Sequence, residues 1–207
     1  RWYGGRLYGS VTRLEKYRRC PFAYFAEYGL RVRPRREYQL SPMDRGTLYH
    51  EALAEIGRRV TDWTSLDRET AKALVDEVLA ERLPAFLTGI MDSSPRYRYL
   101  RTRLSRTLVN ACLLLARQVR GSGFLPVGFE LPFGSGGTEG LPAFVVPVDP
   151  GRTLALSGQI DRVDLARSGD RVWLRVVDYK TGKPSFDPQE VAAGLQVQLL
   201  LYLQVVM

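Results

Sequence analysis

Residues 158–164 read Gly-Gln-Ile-Asp-Arg-Val-Asp, and residues 176–182, after a short turn, read Val-Val-Asp-Tyr-Lys-Thr-Gly. Both stretches have the apolar character of β-strands, and each carries a carboxylate, Asp161 and Asp178, where an apolar residue is expected. Two carboxylates brought together raise each other's pKa unless a cation lies between them, and hard divalent cations prefer oxygen ligands. Lys180, two residues after Asp178, would share its face of a strand. The two stretches therefore predict a metal-dependent hydrolytic centre.

Simple ion pairs are the alternative interpretation of the same residues. Asp178 could pair with Lys180, Asp161 with Arg162, and Asp164 could be a surface partner of Arg162. The spacing alone leaves this alternative open.

The composition sets wider limits on the function. The chain has 207 residues, is 45% hydrophobic and carries a formal net charge of +8, which excludes general disorder and favours an acidic partner such as nucleic acid. Its two cysteines do not make a disulfide framework. It contains no run of 18 apolar residues, so no membrane span is expected. We therefore expect a cytoplasmic, nucleoid-associated protein.

The order of the elements is predicted from periodicity. Ser10 or Thr12 caps a first helix, Pro21 opens a second, and three longer helices follow between residues 41 and 121, the third ending at Gly121. Strands are expected at residues 125–131, 153–165 and 171–179, and one last helix at residues 191–202. Residues 1–123 are thus mainly helical, whereas residues 124–207 carry the core strands and the final helix. We expect one domain over residues 1–207, cut from a longer protein.

Several motifs in this order resemble a known family. They are Gly-x-Ile-Asp-Arg-Val-Asp from Gly158, Asp-Tyr-Lys-Thr-Gly from Asp178, and Gly-x-x-x-Gln-x-x-x-Tyr from Gly194 to Tyr202. Upstream, residues 10–15, residues 20–25 (Cys-Pro-Phe-Ala-Tyr-Phe) and residues 46–50 (Gly-Thr-Leu-Tyr-His) add to them. Together they resemble the PD-(D/E)XK nuclease superfamily in its RecB-like branch, and within it the nuclease domains of AddB-type helicase–nuclease subunits.

The resemblance implies an α/β fold: a restriction-endonuclease-like core, with a mixed sheet flanked by helices, and an N-terminal helical region. It also implies the site. Asp161 and Asp178 match the metal-binding acids and Lys180 the catalytic lysine, while His50 and the Tyr179 carbonyl would complete the metal site. Gln198 and Tyr202, four residues apart on one helix face, match the residues that the family places near the substrate. Glu130 matches an acidic position on the first strand, although a buried or surface glutamate is an equally good interpretation.

The resemblance implies an activity as well. We expect a Mg²⁺- or Mn²⁺-dependent exonuclease that acts on single-stranded DNA ends, together with the helicase subunit of an AddAB-like complex, in double-strand-break repair. The arginines of residues 31–36 would contact phosphates, although a solvated loop explains them equally well; they are Arg31, Arg33, Arg35 and Arg36. The arginines of residues 96–106 are expected to do the same.

Three expectations remain attached to this interpretation. Cys20 matches a ligand of a 4Fe–4S cluster, but such a cluster needs four thiolates and the other cysteine, Cys112, is expected to be a buried apolar residue. The fold could instead serve as a catalytically silent DNA-binding or scaffold module. It could also belong to a CRISPR-adaptation-type exonuclease, which shares the histidine, aspartate and lysine motifs.

Overall fold

The computed structural model of the protein describes residues 5–33, 42–87, 95–134, 140–180, 182 and 186–207. For residues 42–45, 84–87 and 96–97 it describes the backbone only. The chain divides into two compact units. Unit 1 lies within residues 1–38, 131–160 and 176–207, and unit 2 within residues 39–130 and 161–175.

Unit 1 begins with strand β1 (Arg6–Ser10) and helix α1 (Val11–Arg19). Ser10 caps α1, because its hydroxyl accepts from the Arg13 N–H at 3.3 Å, so the predicted cap at Thr12 with Glu15 is wrong. Helix α2 (Pro21–Tyr24) has Pro21 in its first turn and continues as a π-helical turn over Phe25–Gly29. The proline explains why α1 and α2 are separate helices, since it cannot continue a helix interior.

The C-terminal part of unit 1 holds two short helices, α6 (Pro188–Ala192) and α7 (Gln198–Val206). The single last helix predicted for this region is therefore wrong. Gly194 has a φ of +76°, in the left-handed region that ends a helix, and α7 starts only at Gln198. The periodicity of residues 191–202 concealed this break because both helices contribute apolar residues to it.

Unit 2 contains the three long helices α3 (Pro42–Arg59), α4 (Arg68–Leu87) and α5 (Pro95–Ser122), which pack on one another. Their apolar stripes are buried as the periodicity predicts, and Cys112 is fully buried on α5. Each buried aliphatic side chain contributes about 1.5–3 kcal/mol, so this three-helix core is the main source of stability in unit 2. Its most deeply buried members include Leu48, Ile56, Val75, Val78, Leu79 and Leu108.

The sheet is mixed and has five strands: β1, β2 (Leu125–Phe133), β3 (Phe144–Asp149), β4 (Arg152–Ser168) and β5 (Arg171–Val177). Its strand order runs β1-β4-β2, and β3 and β5 also pair with β4. Strand β1 is parallel to β4, with Arg6 opposite Thr153 and Ser10 opposite Ser157, whereas β3 is antiparallel to it. Strand β4 can pair with four partners because it is 17 residues long.

Strand β3 is missing from the elements predicted by periodicity, since it contains Pro147, which disfavours a strand interior. Strand β5 was predicted to reach Tyr179 but ends at Val177, so Asp178, Tyr179 and Lys180 follow the strand. The remaining expectations of the α/β, restriction-endonuclease-like fold with an N-terminal helical region are confirmed.

Candidate active site

A cluster of three metal-ligating side chains lies in unit 2. His50, Glu130 and Asp161 each offer one ligand atom, and these atoms lie within 4.8 Å of one another. His50 Nδ1 is 3.3 Å from Asp161 Oδ1 and 3.8 Å from Glu130 Oε1. The Asp161 side chain is only 9% exposed, and the Glu130 side chain 16%. We call these three residues the acidic cluster.

A close helix–strand contact brings two members of the acidic cluster together. Helix α3 carries His50, and seven residues later Gly57 faces Phe129 of β2, the neighbour of Glu130. A Cβ at position 57 would lie 2.2 Å from the Phe129 ring, so only glycine permits this approach. Arg58 adds a hydrogen bond from its guanidinium to the Phe129 carbonyl at 3.4 Å. Gly57 lies outside the sequence motifs, which gave no sign of this contact.

Glu130 has an unusual backbone. Its φ is +48°, in the left-handed region that non-glycine residues rarely adopt, although it lies within strand β2. Such a conformation costs about 1–3 kcal/mol and is common at functional sites. The acidic position of which the sequence interpretation was least sure is therefore a member of the cluster.

The electrostatics of the acidic cluster are unfavourable for two ionised carboxylates. Burial raises the pKa of Glu130, and the nearby Asp161 charge raises this pKa further, whereas His50 and Arg58 lower it. A cation would remove this conflict because it compensates both carboxylates at once.

The acidic cluster fits a divalent cation. Imidazole nitrogen and carboxylate oxygen are both accepted by such ions, and ligands adjacent on a Mg²⁺ octahedron of about 2.1 Å radius lie about 3 Å apart. The His50–Asp161 distance of 3.3 Å is close to that spacing. Of the residues that the structure describes, these three form the group able to hold a metal ion.

A second group of predicted site residues lies in unit 1, and we call it the lysine group. Lys180 Nζ is 2.7 Å from Asp178 Oδ2 and donates to Gln198 Oε1 at 3.2 Å. Gln198 Nε2 in turn donates to Tyr202 Oη at 2.8 Å, so the four-residue spacing on α7 gives the predicted shared face. The lysine side chain is 52% exposed, whereas that of Asp178 is 9% exposed. Tyr179, between them in sequence, is half-buried.

Aromatic packing holds Tyr202 in this group. Its ring packs edge-on against Phe133, with centroids 5.7 Å apart, and Tyr202 is only 4% exposed. A Cβ at Gly158 would lie 2.7 Å from the Phe133 ring, so the glycine of the first motif makes room for this pair.

Asp164 and Arg162 differ from the surface pair considered from the sequence. Both are fully buried on β4, and Asp164 accepts from Arg162 and also from Arg175, whose Nη2 is 2.6 Å from Asp164 Oδ2. The Arg162 guanidinium also stacks over Trp63, 5.7 Å from the ring centroid. Alternate strand residues point to opposite faces, so Asp161 and Arg162 are directed apart.

The remaining candidates are spread along the chain. Cys20 is exposed and caps α2, where its Sγ accepts from the Ala23 N–H at 3.4 Å, whereas burial raises the pKa of the Cys112 thiol to about 12. Arg31 and Arg33 are exposed, and Arg35 and Arg36 lie outside the described residues. The arginines of α5 with described side chains are exposed at positions 98, 101, 103 and 106. Among the described helices, none combines the length and the apolar character that a bilayer crossing requires.

Comparison with known proteins agrees with these observations. A family model described as the PD-(D/E)XK nuclease superfamily matches residues 9–207. Proteins named as the second subunit of an ATP-dependent helicase/deoxyribonuclease are 42% identical over 207 residues in Pelotomaculum thermopropionicum and 38% identical over 205 residues in Ruminiclostridium cellulolyticum. The alignments cover 98% and 97% of this chain but 18% of each relative, so the chain spans less than a fifth of their length. Its resemblance to the nuclease domain of such subunits is confirmed, and the chain belongs to the PD-(D/E)XK nuclease superfamily.

Proposed function

We propose that this chain hydrolyses phosphodiester bonds of DNA in a reaction that depends on a divalent cation. The acidic cluster is the observation that carries the proposal, because it places two buried carboxylates and an imidazole within 4.8 Å of one another in a chain of nuclease ancestry. Such a site is costly without a cation and well suited to one.

Mg²⁺ or Mn²⁺ is the proposed ion, and His50, Glu130 and Asp161 are its proposed ligands. A bound divalent ion lowers the pKa of coordinated water and polarises a phosphoryl oxygen. The three side chains orient the ion, and their burial limits competition by bulk water. Family resemblance adds Asp178 and the Tyr179 carbonyl as further ligands in the same reaction.

Lys180 is proposed to orient the attacking water or to neutralise negative charge that develops on the phosphate. Its contacts with Asp178 and Gln198 restrict the ammonium group, while its half-exposed side chain leaves the charge accessible to a substrate. Tyr202 limits the motion of Gln198 through their hydrogen bond. The reaction therefore depends on both groups of residues.

The preferred substrate is proposed to be single-stranded DNA, cut from its ends. The net charge of +8 and the exposed arginines, including Arg31 and Arg33, favour contacts to the phosphate backbone without sequence readout. The names of the relatives add a helicase partner and a role in DNA processing. We thus propose a helicase–nuclease complex of double-strand-break repair in the cytoplasm, close to the nucleoid.

An iron–sulfur cluster stays a hypothesis based on the resemblance. Cys20 is exposed and could act as a ligand, but a cluster needs four thiolates and this chain has two cysteines. Ligands from outside this chain would be required.

The test is cleavage of end-labelled single-stranded DNA, linear or circular, with Mg²⁺, Mn²⁺ or EDTA. We expect cleavage of the linear strand with either metal, none with EDTA, and slow cleavage of the circle. Asp178→Asn should abolish it, while the matched control Asp170→Asn, in the exposed turn before β5, should retain it. Wild-type activity equal to that of Asp178→Asn would favour a silent DNA-binding module instead, and efficient cleavage of the circle would contradict the exonuclease assignment.

A further inference from the structure

We propose that Glu15 of helix α1 is a positioning residue for the reaction, because it sets the start of helix α7 and thereby the place of Gln198 and Lys180. The inference rests on the proposed function for its catalytic consequence. The cap itself stands on hydrogen bonds within unit 1.

Glu15 supplies the N-terminal cap that α7 lacks in its own sequence. The residue at the cap position is Val197, whose side chain has no acceptor. Instead, Glu15 Oε1 accepts from the Val197 N–H at 2.8 Å and from the Gln198 N–H at 3.1 Å, across 182 and 183 residues of sequence. A carboxylate at this end also complements the partial positive charge of a helix N-terminus.

Arg18, one turn later on α1, binds the other side of the same break. Its Nε and Nη2 donate to the Ala193 carbonyl at 3.1 and 2.9 Å, just after α6 ends. A guanidinium complements the negative end of α6 as the carboxylate complements the positive end of α7. Helix α1 therefore fixes both ends of the break between the two short helices.

The consequence for the lysine group follows from one backbone position. Gln198 is the first residue of α7, so the N–H that Glu15 holds belongs to the residue whose side chain accepts from Lys180 Nζ at 3.2 Å. Loss of the Glu15 cap would let the first turn of α7 fray, and the Gln198 amide would move with it. Lys180 would then keep its contact with Asp178 but lose its second restraint.

The experiment is a double-mutant cycle of cleavage rates under saturating DNA, with Glu15→Ala, Gln198→Ala and both changes together. We expect Glu15→Ala to lower kcat by roughly tenfold to a hundredfold, since small misplacements of catalytic groups have effects of this size. In the Gln198→Ala background, the same change should cost no more than about twofold, because its target is gone. Glu15→Gln, which keeps an acceptor oxygen, should recover most of the rate.

Glu27→Ala is the matched control, since Glu27 is a partly exposed carboxylate that pairs with Lys16 and is remote in sequence from α7. It should leave kcat unchanged. Rates are compared at a temperature at which circular dichroism shows every variant folded. Losses that multiply in the double variant, or an unchanged kcat in Glu15→Ala, would overturn the positioning role.

Amide hydrogen exchange at Val197 and Gln198 separates this inference from the proposed function. The wild type should protect both amides, and Glu15→Ala should remove that protection without affecting the centre of α7. If the wild type cuts no DNA, the proposed function fails and the positioning role fails with it, while the exchange data still decide the cap. Equal protection in wild type and Glu15→Ala would overturn the cap whatever the activity.

Discussion

Asp161 and Asp164 lie three residues apart on strand β4 and are both buried, yet their surroundings are opposite. Asp164 accepts hydrogen bonds from two guanidinium groups, those of Arg162 and Arg175. Asp161 lies next to a second carboxylate, Glu130, and to His50. One aspartate is neutralised by side chains of the chain itself, whereas the other belongs to a group with excess negative charge.

This difference separates a structural aspartate from a functional one. A buried charge is tolerated when oppositely charged partners satisfy it, and Asp164 with its two arginines meets that condition. The acidic cluster meets it only when a cation from solution is added. We infer that a buried acidic group without charge balance is the better indicator of a site than burial or pairing alone.

The largest expected effect comes from Asp161→Asn. It should reduce DNA cleavage by about a thousandfold, since a metal centre supplies several kcal/mol of transition-state stabilisation. Stability should be unchanged or higher by up to about 1 kcal/mol, because the change relieves repulsion with Glu130. Cleavage assays and urea denaturation of the same preparation measure both. Activity within tenfold of the wild type would remove Asp161 from the metal centre.

Asp164→Asn should show the reverse pattern, with a large loss of stability. It leaves the fully buried Arg162 without its carboxylate, and breaking a buried pair in this way costs about 3–5 kcal/mol. Urea denaturation should show a lower midpoint, while Asp149→Asn, which removes an exposed partner of Arg152, should change little. A variant as stable as the wild type would show that Asp164 is not a structural charge partner.

Divalent cations should stabilise the fold, and the gain should depend on pH. Without metal, the raised pKa of Glu130 means that the folded state holds the proton more tightly than the unfolded chain, whose glutamate has a pKa near 4.5. This contribution to stability is present at low pH and is lost as pH rises through the raised pKa. A cation replaces the proton, so the rise in Tm with Mg²⁺ should be larger above that pKa than below it.

Thermal unfolding with and without Mg²⁺ at several pH values provides the measurement. A cation present at a hundred times its Kd contributes about 2.7 kcal/mol. The same titration of Asp161→Asn should show most of this gain missing. An equal gain in that variant would place the cation outside the acidic cluster.

Arg175→Ala should give the smallest effect, a loss of about 1–2 kcal/mol. Arg175 is 30% exposed and Arg162 still pairs with Asp164 after the change, so the buried carboxylate keeps one partner. Arg175 also lies over the Phe124 ring at 4.6 Å, and that contact is lost as well. Urea denaturation beside Asp164→Asn would rank the two, and a larger loss for Arg175→Ala would contradict this order.

Much of the site was predictable because strand and helix patterns expose residues that do not belong in them. Asp161 and Asp178 interrupt apolar runs, and Gln198 and Tyr202 share a helix face at four-residue spacing. Glu130 was only a weak candidate, since its left-handed φ and its nearness to Asp161 have no signature in sequence. The break between α6 and α7 was missed, because apolar periodicity continues across it.

The sequence by itself determined the family, the α/β class and the identity of the chemical groups, because local patterns of apolar and charged residues are sufficient for these. The tertiary structure alone decided which charges meet. Asp161 and Asp164 have the same side chain on the same strand, and only the packing of helix α3, strand β2 and strand β5 gives one a carboxylate neighbour and the other two guanidiniums. Electrostatic energy depends on distances in space, which separation along the chain does not fix.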